Sequence, residues 1–144
     1  MLQVGPRISG KNAEWLERHF GNRNKGAEYL LGAFPELYRR CISDELRGKF
    51  TVPELSLLLD TFNATTLTPQ LVGQHLLVSA KDAIRLDQLD KKWDVDAGAL
   101  VGKIQALSIC QRAVMEIWLR AFWESGTWER EDGLEEWTGQ LAEA

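Results

Sequence analysis

The stretch LQVGPRIS, residues 2–9, decides how the rest of the chain is interpreted. Side chains alternate across an extended strand, so Val4, Pro6 and Ile8 would share one apolar face. The residues of the opposite face are Gln3, Gly5 and Arg7. A strand this short is not stable alone in water, and no second strand candidate lies nearby in the sequence. We therefore expect it to pair with the same strand of another copy of the chain.

Two residues count against a strand here. Pro6 donates no ladder hydrogen bond, and Gly5 offers no side chain to a ligand. The alternative is that residues 1–9 form an N-terminal tail without regular structure. What favours the strand is the pattern that follows it.

Two helical patterns follow the strand, separated by a short turn. Ser9 is a suitable N-cap for the first helix, and Gly21 ends it. The apolar face of this first helix consists of Trp15, Leu16, His19 and Phe20. The second helix is expected to begin at Asn24 or Lys25, and Pro35 predicts a kink or an end near Phe34. Its apolar stripe consists of Ala27, Leu30, Leu31, Phe34 and Tyr38.

The order strand, helix, turn, helix over residues 2–40 resembles the ribbon-helix-helix (Arc/MetJ-type) family of bacterial and phage DNA-binding proteins. The resemblance implies a homodimer whose paired strands lie in the major groove of double-stranded DNA. The strand residues it implies as base readers are Gln3, Gly5 and Arg7. Paired hydrogen bonds from Arg to guanine and from Gln to adenine are the contacts such a strand can make.

The resemblance also implies a phosphate contact at the start of the second helix, by Asn24, Lys25 and Gly26. A physical reason supports the same residues, because free amide groups and the helix dipole make a helix N-terminus an anion site. Lys25 would add charge and Gly26 would permit close approach of the backbone. The alternative is an ordinary turn and N-cap.

Charge is distributed unevenly along the chain. Residues 1–40 carry seven Lys or Arg and four Glu, or +3, whereas the remainder carries ten basic and seventeen acidic residues, or −7. A basic N-terminal segment followed by an acidic remainder favours contact with DNA through the N-terminal segment alone. No apolar run approaches the roughly 20 residues that span a bilayer, so we expect a cytoplasmic protein without membrane contact.

Residues 50–144 are predicted to form a body of about five helices, arranged as a small helical bundle. Residues 1–42 form the ribbon-helix-helix segment, and residues 43–49 form a polar connector between the two. The predicted fold is therefore mainly α. Capping boxes are expected at Thr51–Glu54 and Ser108–Gln111. A helix opening at Thr68-Pro69 should carry Leu71, Val72, His75, Leu76 and Ala80 on one face, and another should run from Asp96 to Leu107. The stretch from Asp87 to Asp96 is expected to be polar and acidic, and a short helix should lie in 127–144.

Nothing in the sequence indicates catalysis, so the chain is predicted to be a non-enzyme without cofactor or metal. His19 and His75 are expected to be partly buried packing residues, and Cys41 and Cys110 buried free thiols. An acidic cluster could suggest a metal-using enzyme, but its spacing does not match a calcium-binding loop. The cluster consists of Asp87, Asp90, Asp94 and Asp96.

The last third of the chain is rich in aromatic residues. Candidates for a subunit interface or a pocket are Trp118, Phe122, Trp123 and Trp128. Packing in the core is the default interpretation, since exposed aromatic anchors and buried ones share the same sequence pattern.

These observations predict a dimeric, sequence-specific transcriptional regulator, with the dimers free to join as tetramers and the body serving effector binding or assembly. The alternative is an antitoxin-like or phage-encoded adaptor, in which the strand only dimerises and the body binds a protein.

Overall fold

The computed structural model describes residues 9–62, 67–90 and 94–142, and these ranges are mainly helical. The α-helices are α1 (Gly10–Phe20), α2 (Arg23–Arg40), α3 (Val52–Thr61), α4 (Gln74–Asp90), α5 (Ala97–Ala106), α6 (Ile109–Glu124) and α7 (Gly133–Thr138). The mainly α fold class is confirmed. The predicted strand lies outside the described residues, except for Ser9.

The chain divides into two compact units, Met1–Arg40 and Cys41–Ala144. Unit 1 contains α1 and α2, and unit 2 contains α3 to α7. The predicted polar connector over 43–49 needs correction, because a π-helical turn spans Cys41–Leu46 and buries both of its end residues. Leu46 is completely buried, so this segment belongs to the core of unit 2 despite its polar composition.

Local capping chemistry begins three helices of unit 2 where the sequence predicts. Thr51 and Glu54 form a reciprocal capping box at α3, and Ser108 and Gln111 form a second one at α6. Asp96 caps α5 by accepting a hydrogen bond from the amide of Ala99 at 3.0 Å. Each cap satisfies amide groups that would otherwise lack a partner at the helix start.

The core of unit 2 is built mainly from leucine on α3 and from larger side chains on α6. Among the described residues, its largest fully buried members are Leu46, Phe50, Leu55, Leu57, Leu58, Leu59, Leu76, Leu100, Ile104, Met115, Trp118 and Leu119. Leu55, Leu58 and Leu59 of α3, and Phe62 directly after it, are all buried. Phe50, just before α3, forms an isolated parallel β-bridge with Ala142, which follows α7.

Two helix boundaries differ from the prediction. Of the two outcomes predicted near Phe34, a kink or a helix end, the end does not occur, because α2 continues through Pro35 to Arg40. Pro35 has no N–H to donate to the carbonyl oxygen of Leu31, one turn earlier in the helix. Leu31 is exposed, so water can bond this oxygen instead. The helix predicted to open at Pro69 is interrupted, because Gly73 adopts a positive φ of 78° between a 3-10 turn and α4. Leu71 and Val72 precede this break and are exposed, contrary to their predicted place on the apolar face.

Further predictions concern α4, the cysteines and the histidines. The acidic stretch from Asp87 to Asp96 begins inside a helix, because α4 extends to Asp90, and Asp96 caps α5. Cys41 is buried as predicted, whereas Cys110 lies exposed in the first turn of α6. His75 is partly buried, but His19 is exposed.

No helix among the described residues combines the length and apolar character needed to cross a bilayer. Among the described side chains, no three His, Cys, Asp or Glu residues are grouped so as to hold a metal ion.

Candidate functional site

Unit 1 is a helical hairpin whose turn is fixed by two local devices. Ser9 caps α1 by accepting a hydrogen bond from the amide of Asn12 at 3.3 Å. Gly21 ends α1 in the left-handed conformation, with φ of 77°, and the side chain of Asn22 then caps α2. The order of helix, glycine turn and helix therefore follows the prediction, and α2 begins one residue before the predicted start.

Small residues allow the two helices of the hairpin to approach closely. The buried residues of α1 and α2 are Ala13, Leu16, Gly26 and Ala27. A Cβ atom at position 26 would lie 2.7 Å from Cδ2 of Phe20 and 3.0 Å from Cδ2 of Leu16. Gly26 thus has a role in helix packing, which the sequence analysis did not assign to it.

The amides at the start of α2 are already bonded within the chain. The side-chain oxygen of Asn22 accepts from the amides of Asn24 at 2.8 Å and Lys25 at 3.2 Å. The amide of Gly26 donates to the carbonyl of Asn22 at 3.0 Å. An anion that used these amides would have to displace Asn22, so the phosphate contact by the three residues stays a prediction.

Most large apolar side chains of α2 are exposed to solvent. Those at least 40% exposed are Tyr29, Leu30, Leu31, Phe34 and Leu37. They surround an open groove of about 600 Å³ along the second half of the helix, together with Ala33, Pro35 and Glu36. Contiguous apolar surface of this kind normally marks an interaction site. The apolar stripe predicted for the second helix therefore lies on α2, but of its five residues only Ala27 is buried.

Aromatic rings form a chain across the hairpin, which the sequence analysis did not predict. The ring of His19 stacks on Trp15 with centroids 4.1 Å apart, and its Nδ1 atom lies 2.8 Å from the carbonyl oxygen of Trp15. Trp15 also contacts Phe20, which in turn lies 5.7 Å from Tyr29 on α2. Helical spacing could have suggested the pair of Trp15 and His19, since residues four apart share a face.

The charged side chains of unit 1 differ in how they are paired. Glu36 accepts hydrogen bonds from Arg39 and Arg40, and the bond from Arg39, followed by the nearby positive charges, lowers the pKa of Glu36 despite an opposing contribution from burial. By contrast, no ion pair within the described residues involves the basic side chains of Lys11, Arg18, Arg23 or Lys25. These four positive charges remain available to an anionic partner.

The predicted base readers, Gln3, Gly5 and Arg7, lie outside the described residues. Their role stays a prediction.

The aromatic candidates of unit 2 fall into two groups. Trp118 and Phe122 are buried in the core, and Trp118 donates a hydrogen bond to the side chain of Gln140 at 3.1 Å. Trp123 and Trp128 are exposed and pack together, with ring centroids 5.8 Å apart. Their indole nitrogens donate to the backbone carbonyls of Leu59 and Trp123, respectively, so both rings are held in place.

Comparison with known proteins identifies no relative of this chain: no family description, curated protein or solved structure matches it.

Proposed function

We propose that this protein is a dimeric, sequence-specific DNA-binding transcriptional regulator. In this proposal the N-terminal strands of two copies pair and enter the major groove, while unit 2 serves effector binding or assembly. The observation that carries the proposal is the exposed apolar surface of α2, on a hairpin whose order and caps agree with the ribbon-helix-helix pattern.

The exposed surface supports a second copy of the chain as the partner of unit 1. Leu31, Phe34 and Tyr38 recur at helical spacing on one side of α2, and such a stripe is buried when two like helices pack together. Burial of apolar area stabilises by about 25 cal/mol per Å², so several large side chains can supply the association energy. Dimer symmetry would place the two N-terminal strands side by side, as the paired ribbon requires.

The DNA contacts in this proposal come from two places. Base reading belongs to Gln3 and Arg7, with Gly5 between them on the same face of the strand. Phosphate contact belongs to the start of α2, where Lys25 carries a positive charge beside Asn24 and Gly26. Because Asn22 occupies the amides there, we expect the side chains of Lys25 and Arg23 to supply most of the attraction.

Capture of genomic DNA fragments at low and moderate salt tests this function without a guess about the site. We expect enrichment of a symmetric or tandem sequence motif. Arg7→Ala should lose about 1–3 kcal/mol of affinity at that motif and little elsewhere. Arg47→Ala, an exposed basic residue of unit 2, is the matched control and should behave as the parent. Failure to enrich any motif at either salt concentration would contradict the proposal.

A second candidate function is a protein-interaction module of the antitoxin or phage-adaptor kind, in which the strand only dimerises. Two observations favour it: Asn22 already bonds the amides at the start of α2, and the Trp123–Trp128 pair is exposed and fixed. Absence of DNA enrichment together with a dimer that is lost on deletion of residues 1–9 would support this candidate over the first.

A further inference from the structure

Two tryptophan rings at the end of α6 form a pair that is open to solvent and fixed to the fold. Trp123 is 38% exposed and Trp128 is 50% exposed, with ring centroids 5.8 Å apart. Trp123 also packs edge-on against the buried ring of Phe122, at a centroid distance of 5.1 Å. The pair is therefore anchored to the core of unit 2, while part of each ring stays in water.

The indole nitrogens of the pair are already bonded to the backbone. Nε1 of Trp123 donates to the carbonyl of Leu59 at 3.0 Å, and Nε1 of Trp128 donates to the carbonyl of Trp123 at 3.1 Å. Each ring therefore offers a partner its carbon surface and π electrons, and no free donor. Since these bonds fix both side chains, little conformational entropy is lost when a partner binds them.

Carboxylates dominate the charge around the pair. Residues 123–142 carry six Asp or Glu and one Arg, or −5, and all seven of these side chains are exposed. Glu129 directly follows Trp128 and folds back toward the turn between the two rings, where its Oε2 would lie 3.7 Å from a Cβ atom at Gly126. This carboxylate therefore lies beside the segment that joins Trp123 to Trp128.

The start of α7 adds a further carboxylate next to the same turn. Gly133 packs so closely on Thr127 that a Cβ atom at position 133 would collide with the Thr127 carbonyl, so Asp132 is held near the turn. Arg130, the single basic residue of 123–142, pairs with Glu136 at 3.2 Å. Within the part of the chain that the structure describes, no ion pair involves Glu129, Glu131 or Asp132.

We propose that the Trp123–Trp128 pair is a docking site for a basic segment of a partner protein, with an arginine side chain of that segment seated on the rings. A guanidinium group stacks on the face of an indole ring and is attracted by its π electrons. The same group donates charge-assisted hydrogen bonds to carboxylates, which Glu129 supplies beside the rings. Tryptophan and arginine are also prominent among the residues that anchor protein interfaces.

The sign of the charge distinguishes this partner from others. A nucleic acid or an anionic lipid surface would be repelled by the net negative charge, whereas a basic segment is attracted from a distance. A neutral apolar segment would gain nothing from the carboxylates. The site belongs to unit 2 and is independent of DNA binding by unit 1, so peptide binding and capture of DNA can each fail without the other.

Titration of the full chain with a capped peptide of sequence Gly-Arg-Gly-Arg-Gly tests the site. The control peptide carries citrulline, the neutral analogue of arginine, at both positions. We expect the arginine peptide to bind about tenfold more tightly at low salt, and this preference to fall at about 0.5 M salt, which screens exposed charges. The NMR signals of the Trp123 and Trp128 indole N–H groups should shift. Absence of binding, equal affinity for both peptides, or shifts centred on other tryptophans would overturn the proposal.

Three variants locate the binding energy. Trp128→Ala should abolish binding of the arginine peptide, and Glu129→Gln, which keeps both rings and the size of the side chain, should weaken it about threefold. Trp15→Ala is the matched control, because Trp15 is 47% exposed but lies between Lys11 and Arg18 on α1, and it should bind as the parent does. Parent-like affinity of Trp128→Ala or Glu129→Gln, or weaker binding by Trp15→Ala, would contradict the assignment.

A second copy of the chain is the competing occupant, since α1 and α2 carry basic side chains. Sedimentation equilibrium of Trp128→Ala separates the two cases. We expect this variant to keep the molar mass of the parent. A smaller mass would assign the surface to association between copies and overturn the proposal.

Discussion

Unit 1 and unit 2 use their apolar residues in opposite ways. In unit 2 the large side chains of α3 and α6 are buried against other helices of the same unit, with Leu58 and Leu119 completely inaccessible. In unit 1 the buried positions are mostly small, and Leu31 is 63% exposed. Unit 2 therefore buries most large side chains of α3 and α6, although Trp123 and Trp128 are exposed, whereas the exposed apolar side chains of unit 1 are concentrated on α2.

Truncation of one leucine in each unit tests this contrast with the largest expected effect. Leu58→Ala should lower the free energy of unfolding by about 2–5 kcal/mol, since it removes buried atoms and leaves a cavity. Leu31→Ala, measured at a protein concentration low enough to prevent association, should cost under about 0.5 kcal/mol. Urea unfolding measures both values. Equal losses would show that Leu31 is buried within its own chain.

Packing inside the hairpin can be tested at two glycines of α2. Gly26→Ala should destabilise the hairpin by about 1–3 kcal/mol, because its Cβ would meet the Phe20 ring at 2.7 Å. Gly32→Ala, where no atom lies within 4 Å of the new Cβ, should instead stabilise the helix by about 0.5–1 kcal/mol. Native-state hydrogen exchange of the α1 and α2 amides measures both. The same sign for both variants would be inconsistent with the close approach at Gly26.

The cysteines give the smallest expected effect, which concerns reactivity and not stability. Burial, together with Glu45, raises the pKa of Cys41 to about 11, whereas Cys110 is exposed. Because the thiolate is the reactive form, one thiol per chain should react with a disulfide reagent at pH 8 and two in urea. Cys110→Ser should abolish the reaction of the folded protein. Rapid reaction of both thiols in the native state would show that Cys41 is accessible.

The parts of the fold that the sequence predicted depend on local chemistry. The capping boxes at Thr51 and Ser108 and the stop at Gly21 each involve residues within one turn, so their side-chain chemistry is visible in the sequence. At Pro35 the sequence left a kink or a helix end open, and α2 does not end there; Pro35 lies at an exposed position of the helix.

The parts that the sequence did not predict depend on contacts between distant residues. The carboxylate of Glu116 accepts hydrogen bonds from the amides of Gly73 and Leu76, which lie 43 and 40 positions away in the chain. The packing role of Gly26 depends on Phe20 folding back across the turn. Burial of Leu46 could not be inferred either, since polar neighbours surround it in the sequence.

The molar mass of the full chain in solution tests most directly whether α2 is the surface through which two copies associate. One chain has a mass of 16.3 kDa, so sedimentation equilibrium should give twice that value for the parent protein. Leu31→Glu should give the monomer mass with unchanged helix content, because a charge at the centre of the exposed stripe opposes its burial. Val78→Glu, at an equally exposed position of unit 2, should leave the dimer intact. A monomeric parent, or a dimer that survives Leu31→Glu, would contradict the account.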